Sequence, residues 1–404
     1  MGKQTTKTEC SNGDPGIGQP SANVVQTTVS GDQRTDVVGF SRQSWWTDFI
    51  LLRPFEYLRR VMDLSSFRIV RLNPDLFPIT SFEQESYDRY GMSPIAAEAH
   101  CFERLVEHVR HADAVMVVSQ SLPTDAINAM ERCRVICRLG AGTDKIDVVA
   151  ATQNGIVVTN VPDFCVEEQA DHAFSLLLAV ARRLNEMRQC MLDARYHDGR
   201  EWSRPLRRMP GRTLGLVGFG RSAKAMARRA TGFGLRVLAT RRDMSAVDPE
   251  TESLGVRMVS LDDLLAESDF VSLHLSLNGD SRHLFHRETL KRMKPGSVLI
   301  NTARGAIVDE NALAELLESG HLAGAGLDTF EIVDVHHPHP ERPTHRLFQM
   351  ENVVFTPHVA AFSVDSDKDV SYGSVANLNN VLSGRWPESD RIVNPQVRPR
   401  HPLV

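Results

Sequence analysis

The chain has 404 residues, 42% hydrophobic and 24% charged, which is enough for two domains with their own cores. A formal net charge of −5 supplies no basic field for nucleic acid, so small molecules are the expected partners. Six scattered cysteines (Cys10, Cys101, Cys133, Cys137, Cys165, Cys190) are too sparse for a disulfide-stapled fold, and no run reaches the length of a membrane span, so the expectation is a cytoplasmic protein with reduced thiols and no membrane partner.

Residues 1–43 are rich in Ser, Thr, Gly, Gln and Asp without periodicity and are expected to be disordered. From 44 to 162 strand-like and helical stretches alternate: apolar runs at 49–52 and 67–72 flank a helix at 55–62. A helix at 102–109, a strand at 114–118, a helix at 124–130 and a strand at 135–139 follow, and 146–153 with 156–159 repeats the unit. This alternation predicts a mostly parallel sheet with helices on both faces. After Pro162 one long helix is expected over 167–191. It is apolar on more than one face (Ala173, Phe174, Leu176, Leu177, Leu178, Val180, Ala181), which points to burial between domains or subunits and to a homodimer.

A second alternating series begins near Thr213, with strands expected at 214–217, 237–239, 270–274, 298–301, 324–328 and 353–356. Six such strands suit a doubly wound nucleotide-binding fold. A last helix at 367–382 should return to the first domain. The predicted architecture is α/β: a Rossmann-type domain at 163–356 inserted in a substrate domain made of 44–162 and 357–404.

The second series opens with VGFGRSAKAMARRA. Gly218 and Gly220 allow a tight turn and close approach of a pyrophosphate, Ala223 still permits close helix-to-strand packing, and Arg221 and Ser222 open the helix. These residues predict a dinucleotide site. The next strand should end in an acid that binds the ribose diol, but this chain reads LATRRD. Thr240, Arg241 and Arg242 stand there, and an arginine fork suits a 2′-phosphate, so NADP is expected, with NAD possible through the competing Asp243. Arg304 follows the strand at 298–300, at a carboxyl end of the sheet where ligands bind. His358, after Thr356 and Pro357, should face the cleft between domains, where a histidine can act as general acid. The run His336, His337, Pro338, His339, Pro340 lacks spacing that would converge its imidazoles, so no metal is expected and the run is read as an exposed loop.

Taken in order, RLGAGTDKID, VGFGRSA, NTARGAIVDE, GAGLDTFE and TPHVAAFS resemble the D-isomer-specific 2-hydroxyacid dehydrogenases, and within them the branch of the C-terminal binding protein corepressors. The resemblance implies a flavodoxin-like substrate domain and reduction of a small 2-oxo acid such as glyoxylate or hydroxypyruvate. It implies that Arg304 binds the carboxylate and carbonyl, that His358 donates the proton, and that Ala141 and Gly142 offer backbone amides to the carboxylate. His274, Thr302, Ala303 and Asp328 match positions around the cofactor. The family places a glutamate behind the histidine where this chain has Val333, so Asp334 is expected to take that role, with Glu331 the other candidate. A corepressor-like dimer that senses the dinucleotide with little turnover is the alternative.

Overall fold

A computed structural model of the protein describes residues 64–337 and 339–404. The expectations for the tail at 1–43, the run at 49–52 and the helix at 55–62 lie outside the described residues.

Among the described residues twelve strands form two parallel sheets: β1 Ile69–Leu72, β2 Ile95–Ala97, β3 Ala114–Val117, β4 Val135–Arg138, β5 Val157–Thr159, β6 Thr213–Val217, β7 Arg236–Thr240, β8 Val256–Met258, β9 Phe270–Leu273, β10 Ser297–Asn301, β11 Leu322–Leu327 and β12 Val353–Phe355. The first sheet runs β2-β1-β3-β4-β5 and the second β12-β11-β10-β9-β6-β7-β8. Central strands such as β1, β3, β6 and β9 are buried along their whole length, as a sheet covered on both faces requires. Two apolar clusters lie on either side of the second sheet, one holding Leu265, Leu299 and Leu313, the other Phe174, Met226 and Ile300. In the second sheet the chain order reverses between β6 and β9. That switch point leaves a crevice beyond the strand ends, where open parallel sheets bind ligands.

The second sheet has seven strands rather than six. The extra one, β8, is a three-residue edge strand with one buried side chain, too little apolar patterning to read. Edge strand β2 escaped notice for the same reason, with only Ala97 buried. Helix Ser81–Tyr90 carries no apolar stripe, and its signals are instead the Thr80 cap, which accepts from Glu83 N, and left-handed Gly91 after its end. The single helix expected over 167–191 is two, Val166–Ala181 and Leu184–Leu192, broken where Arg183 takes a left-handed φ of 54°. Arg183 is held there by Glu186 at 2.9 Å. Helix Val364–Leu382 starts three residues before the expected position because Ser363 and Ser366 form a capping box. It packs on helix Ser81–Tyr90 and β4, which brings the end of the chain back to the first sheet.

Candidate active site

The glycine-rich turn follows the fully buried β6. Gly218 has φ 93°, and a side chain there would collide with the His274 carbonyl, so only glycine fits where β6 and β9 run side by side. Gly220 caps helix Arg221–Gly232 without a side-chain bond, and the space where its Cβ would stand is open to 4 Å. The first amides of this helix are thus free to face an anion at the positive end of its dipole. At the end of β10, the Thr302 hydroxyl is buried without a partner and Ala303 N donates to Asn301 Oδ1 at 3.0 Å. An open cradle of amides and an orphaned hydroxyl fit a dinucleotide. His274 sits between Ser222 Oγ (3.1 Å) and Ser272 Oγ (3.0 Å), and burial pushes its pKa down to about 4, so it is neutral at physiological pH.

At the end of β7, Thr240 is buried and its carbonyl accepts from Gly218 N at 2.9 Å. Arg241 donates to the Ala246 carbonyl and lies 3.7 Å from Asp248, which also holds Lys224 Nζ at 3.0 Å. Arg242 is exposed and pairs with Asp280 at 3.0 Å. Asp243, the competing acid, is turned to its own loop, where Oδ1 accepts from Ser245 N (3.0 Å) and Oγ (2.6 Å).

A cavity of about 710 Å³ gathers residues from both sheets, among them Arg138, Asp144, Lys145, Arg304, His336 and His358. Arg304 donates to Asp144 Oδ1 at 3.0 Å and to the Ala303 carbonyl at 2.7 Å. Its guanidinium lies so close to the 140–142 loop that a side chain on Gly142 would collide with it. The neighbouring Ala141 carbonyl accepts from Asn160 Nδ2 at 2.7 Å. Arg138, at the end of β4, donates to the Gly142 carbonyl at 2.9 Å; burial, then the charge of Arg304, push its pKa down to about 10. Two guanidiniums and Lys145 against Asp144 leave this wall with excess positive charge, suited to a carboxylate.

His358 is left-handed (φ 58°) on a loop that Asp328 holds. The buried Asp328 carboxylate accepts from Thr356 Oγ1 (2.6 Å), Val359 N (2.9 Å) and Ala360 N (3.0 Å), with His172 Nε2 at 3.5 Å. Burial raises the Asp328 pKa. Three donors around one carboxylate fix the backbone on either side of His358, so Asp328 acts through this loop. The His358 ring points Nδ1 at His336 Nε2, 3.2 Å away, and burial, then Arg304 and His336, push its pKa down to about 3.

Among the described residues no carboxylate pairs with the His358 ring. Asp334 accepts from His336 N at 3.0 Å, and Glu331 is engaged by Arg282 and by His283 Nε2 at 2.6 Å. His336, which the sequence placed in an exposed loop, is half-buried against Phe77 and lies on His358. Sequence reasoning also missed Arg138, Asp144 and Lys145. Their signals were position, in and just after a strand that leads into a glycine-containing loop, and membership of the RLGAGTDKID stretch.

The sequence profile of the D-isomer specific 2-hydroxyacid dehydrogenase, NAD binding domain, matches residues 174–360. A glyoxylate reductase of Thermococcus litoralis is 38% identical over 307 residues, covering 72% of this chain and 87% of its own. Among solved structures, an acyclic imino acid reductase in complex with NADPH and D-Arg is 25% identical with a TM-score of 0.69, covering 81% of this chain and 99% of its own. A D-lactate dehydrogenase of Aquifex aeolicus, complexed with NAD and lactic acid, is 25% identical with a TM-score of 0.67 over 78% of this chain and 96% of its own. The chain belongs to the D-isomer specific 2-hydroxyacid dehydrogenase family. It is an oxidoreductase of that class with a nicotinamide dinucleotide as cofactor. Among the described residues, no helix is long and apolar enough to cross a membrane.

Proposed function

We propose that the protein is an NADPH-dependent reductase of a small 2-oxo acid, of the glyoxylate or hydroxypyruvate kind, and that it yields the D-2-hydroxy acid. The observation that carries this reading is the meeting of Arg304, Arg138 and Lys145 with His358 in one cavity. Likeness to a glyoxylate reductase supports the small substrate. Arg241 and Arg242 at the end of β7, with Asp243 turned away, support a cofactor that carries a 2′-phosphate.

In this mechanism Arg304 binds the substrate carboxylate and polarises the carbonyl, and the backbone of Ala141 and Gly142 holds the second carboxylate oxygen. Gly218, Gly220, Arg221, Ser222 and Ala223, with Thr302 and Asp328, would hold the dinucleotide, which when bound would supply the hydride. His358 gives a proton to the developing alkoxide from Nε2, because Nδ1 is turned to His336. In place of the family's carboxylate, His336 orients that ring, and Asp334 acts one step removed by fixing the His336 backbone.

The electrostatics give the reaction a direction with pH. With its pKa near 3, His358 is neutral in the free enzyme at pH 7. A bound carboxylate neutralises Arg304, which relieves a main cause of that depression, so substrate binding takes up a proton. Reduction needs protonated His358 and speeds up as pH falls; oxidation of the hydroxy acid needs the neutral ring and is favoured as pH rises.

The same reading divides the chain into a substrate domain (44–162 with 357–404) and a cofactor domain (163–356). It takes the enzyme to be a cytoplasmic homodimer, with the exposed Leu184, Met191, Leu192 and Tyr196 in the contact. Steady-state assays on a panel of 2-oxo acids test the function. The expected result is turnover of glyoxylate or hydroxypyruvate with higher kcat/KM for NADPH than for NADH. Equal efficiency with both cofactors would remove the role of the arginine pair, and absence of turnover with tight NADPH-dependent dimerisation would favour a dinucleotide sensor.

A further inference from the structure

At the far end of the second sheet from the glycine-rich turn, a separate cavity of about 570 Å³ opens where the chain enters β6. Five cations line it, Arg207, Arg208, Arg212, Arg236 and Lys294, against one carboxylate, Asp269. In a chain with a formal net charge of −5, so local an excess of positive charge needs a physical account.

The walls are built by backbone. Arg212 N bonds the Met209 carbonyl at 3.1 Å across Pro210 and Gly211, and Gly211 has φ 82°, the arrangement of a type II turn. Gly211 N donates to the Gly234 carbonyl (2.8 Å) and Arg236 N to the Arg212 carbonyl (2.8 Å), which ties the turn to the start of β7. Asp269 is already engaged: it accepts from Thr213 N at 2.9 Å and from Lys294 Nζ at 2.8 Å.

The cations are therefore poorly compensated. Arg212 lies over the Phe270 ring, 4.1 Å from its centroid, and its buried Nε makes no hydrogen bond, only a loose ion pair with Asp269 at 3.8 Å. Its pKa is lowered, first by burial, with Arg207 adding to the effect. Arg207 and Arg208 are exposed and pair with no carboxylate among the described residues. Because these residues sit at the amino ends of β6, β7, β9 and β10, the length of a strand separates them from the cofactor crevice, about 16 Å for five residues.

We propose that this pocket binds a small, multiply charged phosphate-bearing anion, independently of the catalytic cleft. Guanidinium forks pair with phosphate oxygens two at a time, and Lys294 adds a point charge from the opposite wall. A single carboxylate would offset only one of the surplus charges. The concave shape suits a compact ion better than a polymer.

Inorganic pyrophosphate is the probe. It is titrated calorimetrically into the full-length protein saturated with NADPH, so that the glycine-rich turn is filled. One saturable site is expected, weakened by salt, and weakened about tenfold or more in the Arg207→Ala/Arg208→Ala variant. A Lys294→Gln variant should weaken it as well, and turnover without pyrophosphate should be unchanged in the double variant. No saturable binding at millimolar pyrophosphate would overturn the proposal, as would undiminished affinity in the double variant. Binding of a duplex oligonucleotide where pyrophosphate does not bind would also overturn it.

Discussion

His274 and His358 are both half-buried, both sit just beyond strand ends of the second sheet, and both are driven toward the neutral form, yet their surroundings differ. His274 lies between two serine hydroxyls, and burial alone lowers its pKa. His358 faces Arg304 and His336, with Arg138 and Lys145 beyond, so repulsion adds to burial. The first region is satisfied as it stands and stays neutral. The second holds uncompensated positive charge that a substrate anion would offset, so its protonation state is set to change on binding.

The sharpest way to break this contrast is to remove the charge that defines the second region. Arg304→Ala should lower kcat/KM for the 2-oxo acid about 10²–10³-fold, as loss of a charged donor to a developing oxyanion does. Arg304→Lys should restore only part of it, since an ammonium cannot reproduce the planar fork. A loss confined to KM, with kcat intact, would mean that Arg304 only binds.

The first region is broken through its backbone. Gly218→Ala forces a side chain into left-handed backbone and against the His274 carbonyl, a neighbour that cannot rotate away. A backbone penalty of 1–2 kcal/mol predicts about tenfold weaker NADPH binding, read by nicotinamide fluorescence. Unchanged affinity would show that the turn relaxes at no cost.

The smallest effect is a shift along the pH axis. A carboxylate in place of His336 should raise the His358 pKa, so in His336→Glu the falling limb of kcat/KM for reduction should move up by about one pH unit or more. In His336→Leu the limb should stay low while kcat drops, because the ring loses its orientation. A limb at the same pH in wild type and His336→Glu would separate His336 from the reaction.

The glycine-rich turn was legible in the sequence because its logic is local: Gly218, Gly220 and Ala223 act within one strand, turn and helix. The central strands were legible for a related reason, since burial on both faces leaves continuous apolar runs. Edge strands β2 and β8 were not, having one buried side chain each. The break at Arg183 was hidden because arginine does not advertise a left-handed turn. The cleft was half legible: motif matches pointed to Arg304 and His358, while the partner of His358 depended on how residues 333–337 fold back over the loop holding His358. The family resemblance suggested Asp334 for that place, and the fold brings His336 there through a contact between residues 22 positions apart. The Asp328 clamp on the His358 loop was equally unreadable, because three of its donors come from a segment about 30 residues later.

The most direct measurement follows NADPH oxidation by the purified protein with glyoxylate and with hydroxypyruvate, beside the His358→Ala variant. The account predicts turnover of at least one substrate by the wild type, rising as pH falls, and a loss of about 10²–10⁴-fold in kcat in the variant with NADPH binding retained. Undiminished turnover in His358→Ala would contradict it.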